Sequence, residues 1–305
     1  MPVLSRYPRL ITTITVYPAA FLALAIWAGT TISNKYAVQS MDPLSVALLR
    51  AVLAASILLP FLLRFAERPR GSIEWLQTTM CGATNFLAWP VLLSLGLART
   101  SATHAALIVS LIPLATVSIT SIAERRLPNG RWLLGAALAL AGTAYLILDK
   151  GTVSEPDGPV STIAGDSLIL IGCIVCGCGY VISARLARRL GVGVSVGWSI
   201  VVPLPVAFAG LIFVAPNVEW QNINLETWLA IAWLSILSTI VGYLLWIFAL
   251  KKGGVSRVGS LQLALPVLTL LGATLVLDET IPIEIGLIAL VVVTGTAISH
   301  LSVRE

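Results

Sequence analysis

The sequence predicts an all-α membrane protein of ten transmembrane helices, arranged as two inverted five-helix repeats. Three observations carry that expectation: an apolar composition, ten runs long enough to span lipid, and basic residues that cluster in alternate loops. Of 305 residues, 57% are hydrophobic and only 11% charged, with a mean hydropathy of +0.95. Soluble domains carry about 25% charged residues and about 45–50% apolar ones, so too few charges are present to coat a globular surface of this length.

A hydrocarbon core about 30 Å thick takes about 20 apolar residues per helix. Apolar runs fall at 15–36, 43–63, 74–97, 104–123, 131–148, 166–186, 195–215, 226–250, 257–277 and 282–301. Backbone groups in lipid must be hydrogen-bonded internally, so runs of this length are helices. The first follows Arg6 and Arg9 and extends from Tyr17 to Tyr36, too long for a signal peptide and with no clear cleavage site after it. It is expected to stay as the first helix.

The net charge is +5 and the pI about 9.2. A nucleic-acid partner would require a clustered basic face, whereas here the basic residues come in twos and threes between apolar runs, as loop anchors do. Starting from a cytoplasmic N-terminus, the inner loops and termini hold Arg6, Arg9, Arg64, Arg68, Arg70, Arg125, Arg126, Arg131, Arg185, Arg188, Arg189, Lys251, Lys252, Arg257 and Arg304. That is 15 of the 19 Lys and Arg, leaving Lys35, Arg50, Arg99 and Lys150 toward the other side. The bias follows the positive-inside rule and tests the count, since one missed helix would scramble every later loop. Both termini are expected in the cytoplasm.

The polar segment 149–165 divides the chain into residues 1–148 and 166–305, the two expected repeats, with an extracytoplasmic linker between them. At an offset of 150 residues, Gly29, Ile32, Ser33 and Ala37 match Gly179, Ile182, Ser183 and Ala187, while Lys35 pairs with Arg185. Later, Pro113 and Thr116 align with Pro266 and Thr269, and the halves close on Glu124 and Glu279. Five spans is an odd number, so the second half enters the membrane upside down. Inverted repeats of this kind build many secondary transporters, with substrate bound near the midplane. Pro113 and Pro266 each remove a helical hydrogen bond, freeing the carbonyls of Val109 and Gln262. Such carbonyls must face protein or a wet cavity; a packing kink and a cavity-lining gate are both open readings.

The WAG near the start, then SLGLARTSATHAALIVSLIPLATVSITSIAERRLP, then a helix with Gly135 and Gly142, resembles an EamA-type half. FALKKGGVSRVGSLQLALPVLTLLGATLVLDE repeats it, although Gly286 and Gly295 stand two residues farther apart than Gly135 and Gly142. The chain is thus similar to the ten-helix branch of the drug/metabolite transporter superfamily over nearly its whole length. Within it, Trp27, Tyr180, Tyr243 and Trp246 resemble the bacterial amino-acid exporters, the aromatic amino-acid subgroup included; Ile112 departs, standing where an aromatic residue is expected. The resemblance implies a bacterial inner-membrane location, export, and a central cavity between helices 1, 3, 4, 6, 8 and 9, with 5 and 10 as scaffold.

No Asp or Glu lies near the centre of any span, which argues against the carboxylate-centred exchange typical of proton relays and cation sites. Lys35 and Arg50 fall near outer helix ends, either snorkelling to the interface or attracting an anionic solute group. Candidate solute-binding residues are Trp27, Thr30, Asn85, Trp89, Ser110, Tyr180, Tyr243, Trp246 and Gln262, with interhelical bonding or plain packing as the alternative for each. Trp75, Trp132, Trp220 and Trp228 read as interfacial belt residues. His104 reads as a structural histidine or a gate.

Enzyme chemistry finds little support. Gly193–Gly197 matches G-x-S-x-G, but that motif needs a strand–turn–helix elbow with His and acid partners. Cys173, Cys176 and Cys178 lack the further ligands a metal site needs and read as small packing residues. No catalytic residue, metal or cofactor is expected. The expected partners are a small solute, an amino acid or similar, and the bilayer; an oligomer is compatible with this reading and not required by it.

Overall fold

The computed structural model describes residues 8–125, 128–148, 162–253, 261, 264–277 and 282–302, and among these it holds helices and turns but no strand. Among the described residues, eight helices are long and apolar enough to cross a membrane: α1 (Pro8–Ser40), α2 (Pro43–Phe65), α3 (Ser72–Leu97), α4 (Ala102–Ala123), α5 (Gly130–Leu148), α6 (Ile163–Leu190), α7 (Val192–Asn217) and α8 (Leu225–Ala249). Two shorter apolar helices follow, α9 (Leu265–Val276) and α10 (Ile283–Ser302). Gln262, Glu279, Arg257 and most of the 149–165 segment lie outside the described residues.

Helix starts are built from short polar residues, as the unsatisfied first-turn amides require. Asp42 accepts from the Ser45 amide at 2.9 Å with Pro43 behind it, and Ser101 accepts from His104 at 3.1 Å. Asn129, Thr162 and Asn224 do the same for α5, α6 and α8. Each such cap contributes about 1 kcal/mol and marks where the chain leaves a helix end. The turn between α6 and α7 is a single residue, Gly191, at φ 79°, a left-handed conformation that glycine alone adopts without strain.

Contacts give the running directions. The Lys35 ammonium near the end of α1 donates to the carbonyls of Leu97 and Thr100 at the end of α3, so these two helices run parallel. Gly96 packs on Ile169, Gly172 on Trp89 and Gly179 on Asn85, so α6 runs against α3 and therefore against α1. Thr30 meets Ser238 while Trp27 meets Tyr243 and Trp246, so α8 also opposes α1. Gly135 faces Gly295 and Ser299 while Gly142 faces Val292, which makes α5 and α10 antiparallel.

Two helices carry π-helical stretches: α3 at Gly82–Ala88 and α8 at Trp233–Gly242. A π turn displaces carbonyls from the regular ladder and is common near functional sites. Against each sits one of the glycines matched in sequence at an offset of 150. A Cβ on Gly29 would come within 2.7 Å of the Trp233 ring, and one on Gly179 would collide with the Asn85 amide. Close approach is what glycine supplies at both places.

Large apolar side chains such as Phe61, Phe65, Phe208, Phe213 and Leu275 lie exposed on the outside, a surface suited to lipid rather than water. Inside, Trp27, Phe86, Tyr243 and Trp246 centre one cluster, and Trp89, Leu93, Leu97, Ile169 and Cys173 another. Trp132, expected at the interface, is buried instead, at the start of α5; its carbonyl accepts from the Ser299 hydroxyl of α10. Its position near a span end is shared with true belt residues, so sequence alone did not separate them.

Candidate functional site

The centre of the bundle is organised by aromatic rings. Tyr243 touches Trp27 (ring centroids 5.3 Å), Phe86 (4.8 Å) and Tyr180 (6.5 Å), and Trp27 also meets Trp246 at 5.5 Å. Edge-to-face and tilted pairs of this kind favour a fixed geometry, worth about 0.5–1.5 kcal/mol each beyond burial. The Trp27 indole donates to the Ser238 carbonyl at 3.3 Å, inside the π-helical stretch of α8. Thr30 Oγ1 lies within hydrogen-bond distance of both Ser238 Oγ, at 2.7 Å, and the Ile26 carbonyl, at 3.1 Å.

Two cavities lie against these rings. The larger, of about 540 Å³ with its mouth included, is lined by Trp27, Thr30, Thr31, Arg50, Trp89, Leu93, Ala106, Val109, Ile112, Tyr180, Ser238, Tyr243, Leu265 and Thr269. The smaller, of about 320 Å³ counted in the same way, is lined by Cys81, Phe86, Tyr180, Ser183, Leu186, Ala187, Ser195, Val196, Tyr243 and Ile247. Tyr180 and Tyr243 border both. The smaller cavity lies toward the α6–α7 turn, and the larger toward the opposite part of the bundle.

Of the residues singled out in sequence, Trp27, Thr30, Trp89, Tyr180 and Tyr243 meet at the larger cavity. Trp246 stands behind, its ring tilted against that of Trp27. Asn85 is among the lining residues of neither cavity; its Nδ2 donates to the Ser183 hydroxyl at 3.4 Å, tying α3 to α6. Ser110 turns back on its own helix, donating to the Leu107 carbonyl at 2.6 Å. Gln262 lies outside the described residues. Pro113 opens the second segment of α4, Ile112–Glu124, after a break at Ser110–Leu111, and Pro266 opens α9. Neither proline lines a cavity, but their neighbours Ile112 and Leu265 do.

Neither Lys35 nor Arg50 snorkels: they are 0% and 3% exposed. Lys35 holds C-terminal carbonyls of α3, where a cation also complements the helix dipole. Arg50 donates through Nε to Thr239 Oγ1 at 2.8 Å and through Nη2 to Ser238 Oγ at 3.0 Å. Asp166 belongs to a buried pair, its Oδ2 3.0 Å from His104 Nδ1 and its Oδ1 accepting from the Thr100 hydroxyl at 2.5 Å. Both are 1% exposed. His104 and Asp166 thus join the α4 N-terminus to that of α6.

Cavity residues that sequence reasoning did not select include Thr31, Ser238 and Thr269. Arg50 left a signal, as a lone charge in a helix otherwise uncharged until Arg64, and was read as snorkelling or as attracting an anionic solute group. Hydroxyls leave none, because a helical Ser or Thr satisfies itself on the carbonyl four residues back, as Thr269 does on Leu265 at 3.0 Å. The three clustered cysteines carry no metal group among the described residues; Cys173 donates to the Ile108 carbonyl at 3.4 Å, and all four cysteines are free.

Fold and site together define a polytopic membrane protein with an internal cavity of aromatic rings, hydroxyls and one guanidinium. The chain belongs to the EamA-like transporter family, whose model matches it twice, over residues 14–148 and 163–301. An uncharacterised transporter of Bacillus subtilis, YdeK, is 29% identical over 263 residues, covering 86% of this chain and 88% of that one. A protein described as a probable amino-acid metabolite efflux pump of Escherichia coli is 27% identical over 293 residues, 93% and 94% of the two chains. A protein of solved crystal structure matches with a TM-score of 0.63 over 92% of this chain and 95% of the other; at 19% identity this likeness concerns the fold alone.

Proposed function

We propose that this chain is a secondary transporter that exports amino acids, aromatic and hydrophobic ones included, or related small metabolites, by alternating access. The observation that carries the reading is the pair of cavities on either side of Tyr180 and Tyr243. A carrier needs a site that one barrier or the other always closes, whereas a channel needs a continuous path. The opposed directions of α1 and α6, and of α5 and α10, together with the double family match, support two inverted five-helix halves rocking about that site. The name of the Escherichia coli relative supports amino acids as cargo. Other metabolites or drugs are the alternative cargo.

The test is counterflow in liposomes holding the purified protein and a panel of labelled amino acids. Saturable uptake, stimulated by unlabelled amino acid on the far side, is expected. Flux that neither saturates nor responds to trans solute would mean a channel, and no flux across the panel would remove amino acids as cargo.

The same reading places both termini in the cytoplasm of a bacterial cell, with the protein in its inner membrane. Trp198 donates to the Glu67 carbonyl at 2.8 Å, which brings the α2–α3 loop beside the start of α7. Cysteines introduced as Arg68→Cys and Arg189→Cys, both exposed sites, are therefore expected to react with an impermeant maleimide from one face, in inside-out vesicles and not in intact cells. Labelling from opposite faces would end the five-plus-five topology.

A further inference from the structure

We propose that the Arg50 guanidinium is the subsite for a carboxylate on the transported solute. The proposal deepens the transporter reading and rests on it for the word transported. Arg50 lies in α2, is 3% exposed, and lines the larger cavity. Its Nε and Nη2 are each bonded to a neutral hydroxyl, Thr239 and Ser238, while Nη1 has no hydrogen-bond partner among the described residues. Among the described residues, no carboxylate pairs with it.

Arginine stays charged in proteins, and a buried charge without a counter-ion is disfavoured by several kcal/mol. An intramembrane cation is retained where it serves a function, facing a cavity or a partner. Hydroxyl dipoles orient the Arg50 fork without neutralising it, so the group that neutralises it must enter through the cavity. A guanidinium offers parallel N–H donors that match a carboxylate in a two-bond pair.

Charge count narrows the class. Arg50 is the one charged side chain among the described residues lining this cavity. A monoanion would be matched, while a phosphate dianion would keep an unmatched negative charge. Next to Arg50 the lining offers Trp27, Trp89, Tyr180 and Tyr243, so the body of the solute meets ring faces. For an amino acid, the ammonium would find no carboxylate in the lining; ring faces and hydroxyls take its place, as in cation–π recognition. The cargo is therefore a monocarboxylate with an apolar or aromatic body, the free amino acid being the form that uses every group present.

The experiment measures binding and transport separately on the purified full chain. Binding is read as thermal stabilisation and as quenching of tryptophan fluorescence, using L-phenylalanine against phenethylamine, L-leucine against isopentylamine, and inorganic phosphate. These pairs differ only in the carboxylate. Each acid is expected to bind at least about tenfold more tightly than its amine, as for a charged hydrogen-bond partner lost from a buried site, with phosphate weak. Arg50→Gln is expected to erase the difference within each pair, and Arg50→Lys, which keeps charge but not the fork, to restore part of it. Equal binding of acid and amine by the unmodified protein would overturn the proposal without any variant, and so would carboxylate preference surviving in Arg50→Gln. Preference for phosphate would overturn the monocarboxylate class. Failure of every carboxylate probe to bind would overturn the subsite as well. Selective binding of the acids with no counterflow in liposomes would sink transport and leave the subsite standing; counterflow that accepts the amines equally would do the reverse.

Discussion

Tyr243→Ala is expected to lower amino-acid counterflow in liposomes to background while raising passive leak of the same solute. Tyr243 is 6% exposed, touches Trp27, Phe86 and Tyr180, and borders both cavities. Removing a buried ring from such a cluster costs about 3–5 kcal/mol where the surroundings cannot collapse. Here the vacated space would join the two cavities, so lost stability and lost separation share one cause. Tyr243→Phe keeps the ring and is expected to change counterflow less than about tenfold, since only one hydroxyl is lost. Wild-type counterflow in the alanine variant would show that the tyrosine pair is not the barrier.

The second large effect is expected at the seam between α5 and α10. A Cβ on Gly295 would stand 2.6 Å from the Ala139 amide and 2.7 Å from the Gly135 carbonyl, and both are backbone atoms that cannot swing aside. Gly295→Leu must therefore part the helices and break the Ser299–Trp132 hydrogen bond of 2.9 Å. Helices in lipid associate largely through close packing of small residues rather than hydrophobic exclusion. Overpacking costs about 1–3 kcal/mol, and more where backbone opposes backbone. Thermal unfolding of the detergent-purified protein is expected to begin several degrees lower, by about 2–4 °C for each kcal/mol. Gly286 has open space where its Cβ would be, so Gly286→Ala is the control, with an expected Tm equal to or slightly above wild type. Equal losses in the two variants would mean that the loss does not come from the seam, since both replacements raise helix propensity.

Much of this organisation was legible beforehand. The apolar runs at 15–36 and 226–250 anticipate α1 and α8, because span length in lipid is set by bilayer thickness and internal hydrogen bonding. Gly29 and Gly179 were visible as a matched pair, and both turn out to meet a π-helical stretch of another helix. The glycine pattern of the last helices was legible only in part. Gly135 does meet Gly295, but Gly142 meets Val292 and Gly286 meets nothing, because antiparallel helices do not align their glycines in sequence order.

At the cavity, the aromatic residues and Thr30 could be read, and most of the other polar residues could not. Trp27, Tyr180 and Tyr243 were marked by their resemblance to the amino-acid exporters, and all three line the larger cavity. Asn85, Ser110, Ser238 and Thr239 are all neutral polar residues in apolar helices. Asn85 bonds Ser183 of a neighbouring helix and Ser110 bonds its own helix, while Ser238 and Thr239 hold a guanidinium. Asp166 stands as an acid in the first turn of α6, and its partner His104 is 62 residues away.

By itself, the sequence determined that this chain lives in lipid, that its spans are helices, and how its basic loops alternate. Those properties follow from the solvent, which screens composition and segment length residue by residue. Only the tertiary structure decided which side of each helix meets the cavity. It set Arg50 among hydroxyls 188 and 189 residues away with its Nη1 nitrogen unpartnered among the described residues, and it set Tyr243 between two spaces. In a helix apolar on every face, no contrast of hydrophobicity separates the side that meets lipid from the side that meets protein, so packing between distant segments makes that choice.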